Sequence, residues 1–179
     1  MIEDQNLNEV HLVGWSYGGM VVSGVLAKIP SRIAAITYLD AYLPAKGQSV
    51  ASFVSVFERL LLSIAGLIGR GINPPDPFVW GIEDEIPRRQ HKLRISPQPP
   101  RTFTQRIDSP ESRSDHVSYH YIWCRGYAGS VFQQFYEKAC NDDRFRVSVL
   151  ESSHPAPITD PQSVARLLQG GSTDLVTTG

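Results

Sequence analysis

One short stretch limits what this chain can fold into more than any other, and it reads Gly14-Trp15-Ser16-Tyr17-Gly18-Gly19. An apolar run at residues 10–13 precedes the stretch, and a helical pattern at residues 20–27 follows it. A serine in the pattern G-x-S-x-G between a strand and a helix is typical of a nucleophile elbow, a sharp turn that exposes the serine Oγ. Glycines at positions 14 and 18 leave room where the strand and helix backbones approach, and Gly19 extends that clearance. The alternative is a glycine-rich turn whose serine caps an ordinary helix.

The rest of the chain alternates between apolar strands and helices, which predicts an α/β fold. The run Ile33–Leu39 is apolar almost throughout, as expected of a strand covered on both faces of a parallel sheet. A last helix is predicted to begin at Pro161, with Asp160 as its cap. The predicted sheet is mostly parallel, with flanking helices and about four strands, at residues 8–13, 33–39, 119–123 and 146–150.

A proline-rich region at residues 41–115 interrupts this alternation. We interpret it as a cap or lid insertion within a single domain that spans residues 1–179. It contains an apolar helical pattern at about residues 50–68, with i, i+3, i+4 spacing, and that face has two possible uses. It packs on the sheet, or it forms part of the wall of an apolar substrate pocket. The face consists of Phe53, Val56, Phe57, Leu60, Leu61 and Ile64.

An activated serine needs a base within hydrogen-bond reach. In enzymes with such an elbow, the base is a histidine in the loop after the last strand. His154 meets this requirement, because it follows the strand that ends at Leu150 and precedes the helix cap at Asp160. The other histidines fit less well, since they lie in predicted strands or in the insertion: His11, His91, His116 and His120.

The base needs a carboxylate to orient it, and Asp40 is the best candidate. It lies at the carboxyl end of the strand after the elbow helix, where it keeps the chain order Ser, Asp, His. The carboxylate more often lies in the loop after the strand that ends near Cys124, but that loop, residues 125–129, contains no acid here. In the alternative interpretation Asp40 only starts a turn. The remaining acids near this part of the fold are poorer candidates: Asp142, Asp143 and Glu151.

Composition excludes several classes of partner. With 17 basic and 18 acidic residues, the net charge of −1 gives no reason to expect nucleic acid or a charged membrane as a partner. The most apolar stretch, residues 60–68, is shorter than the ~20 residues that cross a bilayer. The polar start at residues 1–6 is unlike a signal peptide, and two cysteines suit reduced thiols, so we expect a cytoplasmic protein. The predicted chemistry calls for no cofactor and no metal.

Several segments resemble, in order along the chain, the bacterial esterase-like α/β-hydrolases, relatives of the plant methyl-ester esterases and hydroxynitrile lyases. The longest are residues 11–22 around the elbow and residues 38–44 and 47–49, Tyr-Leu-Asp-Ala-Tyr-Leu-Pro and Gly-Gln-Ser. Shorter similarities follow at residues 96–99, 121–124 and 153–155. The resemblance therefore extends over nearly the whole chain.

This resemblance implies a serine hydrolase with Ser16 as nucleophile and His154 as base. It also implies that the backbone N–H of Tyr17 supplies one half of the oxyanion hole. A tryptophan stands at position 15 where the family usually has histidine, which should change the floor of the substrate pocket. The predicted pocket includes four aromatic residues: Trp15, Tyr42, Phe53 and Phe57.

Family members carry further strands and a His-Gly-type loop before the elbow, whereas Ser16 lies close to the start of this sequence. The resemblance thus implies the carboxyl-terminal part of an α/β-hydrolase fold, truncated at its amino terminus. Two consequences are expected. Residues 8–13 become an open sheet edge that favours self-association. A missing second oxyanion donor would cost about 3–4 kcal/mol of transition-state stabilisation.

The leading functional hypothesis is a serine hydrolase that cleaves carboxylic esters of small molecules through an acyl-enzyme, using Ser16, His154 and Asp40. One alternative is a truncated, inactive pseudoenzyme, or a fragment that associates through its open sheet edge. A second alternative is a cofactor-free enzyme similar to hydroxynitrile lyases.

Overall fold

A computed structural model describes residues 1–69, 71–108, 114–127 and 130–170 of the chain. It confirms the predicted α/β class and the four-stranded sheet, whose strand order is β1-β2-β3-β4. All neighbouring strands are parallel. The strands are β1 (Val10–Ser16), β2 (Ile33–Ala41), β3 (Ser118–Cys124) and β4 (Phe145–Leu150).

Helices follow the strands and cover both faces of the sheet. Asp160 caps the last helix as predicted, because its side chain accepts a hydrogen bond from the N–H of Ser163. Within the described residues, no helix has the length and apolar character needed to cross a membrane. The helices are α1 (Gly18–Lys28), α2 (Val56–Leu67), α3 (Glu85–Lys92), α4 (Arg101–Thr104), α5 (Gln133–Cys140), α6 (Ala156–Thr159) and α7 (Pro161–Leu168).

The core lies on both sides of the sheet because successive strand residues point to opposite faces. Tyr121 and its neighbour Ile122 are both fully buried, the first against one cluster and the second against the other. Helices α1 and α5 contribute Leu26 and Phe135 to the first cluster, and α7 contributes Leu167 to the second. The arrangement is a three-layer sandwich with the sheet in the middle.

Strand β1 lies at one edge of this sheet, where β2 is its partner among the described residues. It begins later and ends later than predicted, since its pairing continues until Ser16 lies opposite Ala41. Val13 on this strand is 43% exposed. Because the strands are parallel, their carboxyl ends lie side by side, and the segments that follow β1, β2, β3 and β4 all begin there.

The apolar face predicted at residues 50–68 is arranged differently from either expectation. Ser55 divides the region into a 3₁₀ turn (Val50–Phe53) and helix α2. The Ser55 hydroxyl accepts a hydrogen bond from the Glu58 N–H, and the Glu58 carboxylate accepts one from the Ser55 N–H. None of the α2 side chains is buried, so this helix does not pack on the sheet. Its exposed apolar residues are Val56, Phe57, Leu60, Leu61, Ile64 and Leu67.

Candidate active site

The turn at Ser16 has the strained geometry that the sequence predicts. Ser16 has a positive φ of 55°, which is uncommon for a residue with a side chain. A Cβ at Gly19 would lie 2.0 Å from the Tyr42 carbonyl oxygen, and one at Gly14 would lie 2.7 Å from the Gly18 oxygen. Glycine is therefore required at positions 14 and 19. At Gly18 a Cβ would meet no atom within 4 Å, so the expectation that this glycine provides clearance is corrected.

Three side chains from three separate segments form a continuous chain of hydrogen bonds. His154 Nε2 lies 3.0 Å from Ser16 Oγ, and His154 Nδ1 lies 2.6 Å from Asp40 Oδ2. Asp40 is completely buried and His154 is 5% exposed. In the neutral imidazole, Nδ1–H donates to the carboxylate and Nε2 accepts the Ser16 hydroxyl proton. This arrangement makes the serine a potential nucleophile.

The end of strand β2 carries the carboxylate of this group. Asp40 also accepts a hydrogen bond from the backbone N–H of Cys124, at 3.3 Å. Burial raises the pKa of the Asp40 carboxyl above its ordinary value, while the hydrogen bonds from His154 and the Cys124 N–H act in the opposite direction. These two donors are the groups that stabilise the ionised carboxylate.

Two of the other candidate acids are engaged elsewhere. Glu151 forms an exposed ion pair with Arg125. Asp142 accepts hydrogen bonds from the Arg144 guanidinium at 2.8 and 3.0 Å. Neither carboxylate is hydrogen-bonded to His154 in the described part of the chain.

Aromatic rings pack around the His154 imidazole, and two of them are not among the predicted site residues. The Phe132 ring stacks on the imidazole at 4.9 Å between centroids and an interplanar angle of 7°. The Tyr127 ring lies 5.4 Å away. Both residues come from the segment between β3 and α5, where no periodicity marks a contact, and their only signal is aromatic character near the carboxyl end of a strand.

A cavity of about 690 Å³ opens beside Ser16 and His154. Trp15 and Tyr42 line it, whereas Phe53 and Phe57 do not, so the prediction for these two residues is corrected. Phe53 instead packs against Phe135 at 4.8 Å between ring centroids, and Phe57 is 69% exposed on α2. The remaining wall residues are Tyr17, Ile72, Asn73, Pro74, Pro75, Trp80, Ile95, Ser96, Gln98, Phe103, Tyr127, Ser130, Val131 and Phe132.

Tyr17 connects the elbow to the region between β2 and β3. Its hydroxyl donates a hydrogen bond to the Thr102 carbonyl at 3.1 Å, on helix α4. Its backbone directly follows Ser16 and precedes the first residue of α1. Burial raises the pKa of the Tyr17 hydroxyl, and burial together with Tyr127 raises that of Tyr42 to about 12. Both phenols therefore stay neutral near pH 7. Among the described residues there is no cluster of three or more His, Cys, Asp or Glu side chains that could bind a metal ion.

Comparisons with known proteins identify several relatives. A carbendazim hydrolyzing esterase of Nocardioides sp. (strain SG-4G) is 45% identical over 53 residues, which cover 30% of this chain and 22% of that enzyme. The matched segment thus spans less than a quarter of the esterase. An extracellular α/β-hydrolase from a Paenibacillus species has a similar structure, with a TM-score of 0.68 and 21% identity, covering 97% of this chain and 76% of that one.

Polyneuridine aldehyde esterase is also similar in structure, with a TM-score of 0.62 and 17% identity, covering 91% of this chain and 71% of that one. At these identities the two solved structures establish the fold. The model of the alpha/beta hydrolase family matches residues 2–167. That range contains all four strands together with Ser16, Asp40 and His154, and the chain therefore belongs to the α/β hydrolase family.

Proposed function

We propose that this protein is a serine hydrolase that cleaves carboxylic esters of small molecules through an acyl-enzyme. One observation carries the proposal: a hydrogen-bonded Ser16–His154–Asp40 chain opens on a cavity large enough for a small ester. Cavities of this size commonly bind small molecules. Similarity to proteins described as esterases supports the same reaction class.

In the first half of the proposed reaction, Ser16 Oγ attacks the ester carbonyl carbon while its proton passes to His154 Nε2. The resulting imidazolium is stabilised by Asp40, whose Oδ2 accepts the Nδ1–H hydrogen bond. When the tetrahedral intermediate collapses, the C–O bond to the alcohol breaks. His154 then returns the proton to the leaving oxygen, and the acyl group remains on Ser16.

In the second half, water attacks the acyl carbon and gives its proton to His154 Nε2. The bond to Ser16 Oγ then breaks, the proton returns to that oxygen, and the carboxylic acid leaves. The Tyr17 N–H is proposed to donate to the oxyanion in both intermediates. It lies beside the amino-terminal end of α1, where the helix dipole favours negative charge.

The cavity wall favours esters with a flat apolar group. Seven of its side chains are aromatic, counting the tyrosines, and they surround an opening beside Ser16. Aromatic walls bind planar ligands by offset or edge-to-face contact. We therefore include aryl esters and esters with an aromatic acyl or alkoxy group in the proposed substrate class.

The test compares wild type with Ser16→Ala on p-nitrophenyl acetate and on methyl esters of aromatic acids. We expect kcat/KM to fall by a factor on the order of 10⁵ in the variant. Ser63→Ala is the matched control, because Ser63 is exposed on α2 and its hydroxyl donates to the Arg59 carbonyl. Full activity in Ser16→Ala would disprove the role of Ser16. A cyanohydrin is assayed in parallel. Its cleavage without ester hydrolysis would favour the alternative of an enzyme similar to hydroxynitrile lyases.

A further inference from the structure

Two neighbouring residues of β1 contact opposite ends of the same histidine. The Trp15 indole Nε1–H donates a hydrogen bond to the backbone carbonyl of His154 at 2.9 Å. Ser16 Oγ lies 3.0 Å from Nε2 of the same residue. Because Trp15 and Ser16 are consecutive at the end of one strand, these contacts fix both the backbone and the ring of His154 relative to the nucleophile.

The backbone of His154 depends on this contact. His154 is 5% exposed, and its carbonyl accepts from no other donor among the described residues. A buried carbonyl that loses its hydrogen bond is costly, so the segment would move to find a new partner.

The Trp15 ring also packs against the second buried cluster, to which Leu150 of β4 and Ala156 of α6 belong. Its ring centroid is 5.5 Å from that of the His154 imidazole. An indole suits this position because it joins a rigid apolar surface to a single N–H donor.

We propose that Trp15 is a positioning residue that holds His154 Nε2 in line with Ser16 Oγ, an inference that rests on the proposed serine hydrolase mechanism. Trp15 acts through His154 and takes no part in proton transfer. Misalignment of a base slows the chemical step more than it weakens binding of the ground state. Trp15 also lines the cavity, so loss of the indole N–H should lower kcat by a larger factor than it changes KM.

The experiment compares Trp15→Phe with Trp123→Phe. Phenylalanine keeps an aromatic ring and removes the N–H donor. Trp123 is a matched control because its Nε1 is buried and has no hydrogen-bond partner among the described residues. A fluorophosphonate reagent counts the reactive Ser16 sites in each preparation, and kcat is expressed per titrated site.

In Trp15→Phe we expect kcat per titrated site to fall about tenfold, which corresponds to about 1.4 kcal/mol, with a smaller change in KM. Trp123→Phe should match wild type in both parameters. The proposal is wrong if the two variants have the same kcat per titrated site. It is also wrong if Trp15→Phe only reduces the number of titrated sites, because that result indicates a purely structural role.

A second measurement separates this proposal from the proposed function. The Nδ1 proton of His154 is observed by NMR, and its exchange with water reports how firmly the imidazole is held against Asp40. We expect exchange to be about tenfold faster in Trp15→Phe than in Trp123→Phe. If wild type neither reacts with the fluorophosphonate nor hydrolyses esters, the proposed function fails, and equal exchange rates in the two variants would independently reject the positioning role.

Discussion

The Asp40 carboxylate reaches His154 from the end of the strand next to β1, with 2.6 Å between Oδ2 and Nδ1. Asp40 has a positive φ of 41°, as Ser16 has one of 55°, so a strained residue lies at the end of β1 and another lies one residue before the end of β2. Strain of this kind persists only where the surrounding structure enforces it. Here the Tyr42 N–H donates to the Ser16 carbonyl at 3.2 Å, which joins the two strand ends directly.

Replacement of Asp40 by asparagine should remove most of the proposed activity. The amide keeps the size of the side chain but no longer stabilises the imidazolium or fixes the Nδ1–H tautomer. We expect kcat to fall roughly 10³–10⁴-fold with a smaller change in KM. Glu151→Gln makes the same chemical change at an exposed ion pair and should retain wild-type kcat. An equal loss of kcat in both variants would show that the orienting role assigned to Asp40 is wrong.

A methyl group at Gly19 should destabilise the fold at the elbow. Its Cβ would lie 2.0 Å from the Tyr42 carbonyl oxygen, a backbone atom that cannot rotate away. We expect Gly19→Ala to lower the free energy of unfolding by about 3 kcal/mol. At Gly18, where no atom lies within 4 Å, alanine should raise it by about 0.5–1 kcal/mol, because alanine loses less backbone entropy in a helix. Urea unfolding measures both values, and equal effects would contradict this account of the elbow.

The sheet and the hydrogen-bonded group could be predicted because both follow from chain order. Ile33–Leu39 is apolar almost throughout, and a buried parallel strand requires such a run. Ser16, Asp40 and His154 each lie at or just beyond the carboxyl end of a strand, so a parallel sheet brings them to one edge. Neither step needs any knowledge of side-chain packing.

Trp15 and Tyr42 were the predictable part of the cavity wall, and the rest could not be predicted, because helical spacing identifies an apolar face without showing what covers it. Phe53 and Phe57 are four residues apart and share one face of the predicted helix, yet the Ser55 cap separates them into different elements. The contacts of two rings with His154 also depend on tertiary structure. Phe132 and Tyr127 belong to an irregular segment, where sequence periodicity carries no information on contacts.

Removal of an aromatic ring from the cavity should weaken binding of aryl esters. Phe103 lines the cavity on α4, whereas Phe57 lies exposed on α2 outside it. For Phe103→Ala we expect the KM of an aromatic methyl ester to rise about tenfold, because a buried phenyl contact is lost. Phe57→Ala makes the same change and should leave KM unchanged. Steady-state kinetics with an aromatic and a short aliphatic ester distinguish the two, and a higher KM in Phe57→Ala would place α2 at the pocket after all.

Acid should destabilise the protein through His120, which lies buried in β3 with Nε2 2.9 Å from Ser148 Oγ. Burial, together with the electrostatic effect of Arg146 and His11, lowers its pKa from 6.5 to about 4. The unfolded chain binds a proton as the pH falls below about 6.5, while the folded protein does not until about pH 4. The stabilising contribution of neutral His120 is therefore complete above pH 6.5 and is lost as the pH falls through this window.

From pH 7 to 4.5, His120→Gln should lose about 2 kcal/mol less unfolding free energy than wild type. The exposed His116→Gln is the control for urea unfolding at both pH values, and a loss in His120→Gln as large as in that control would contradict the assignment.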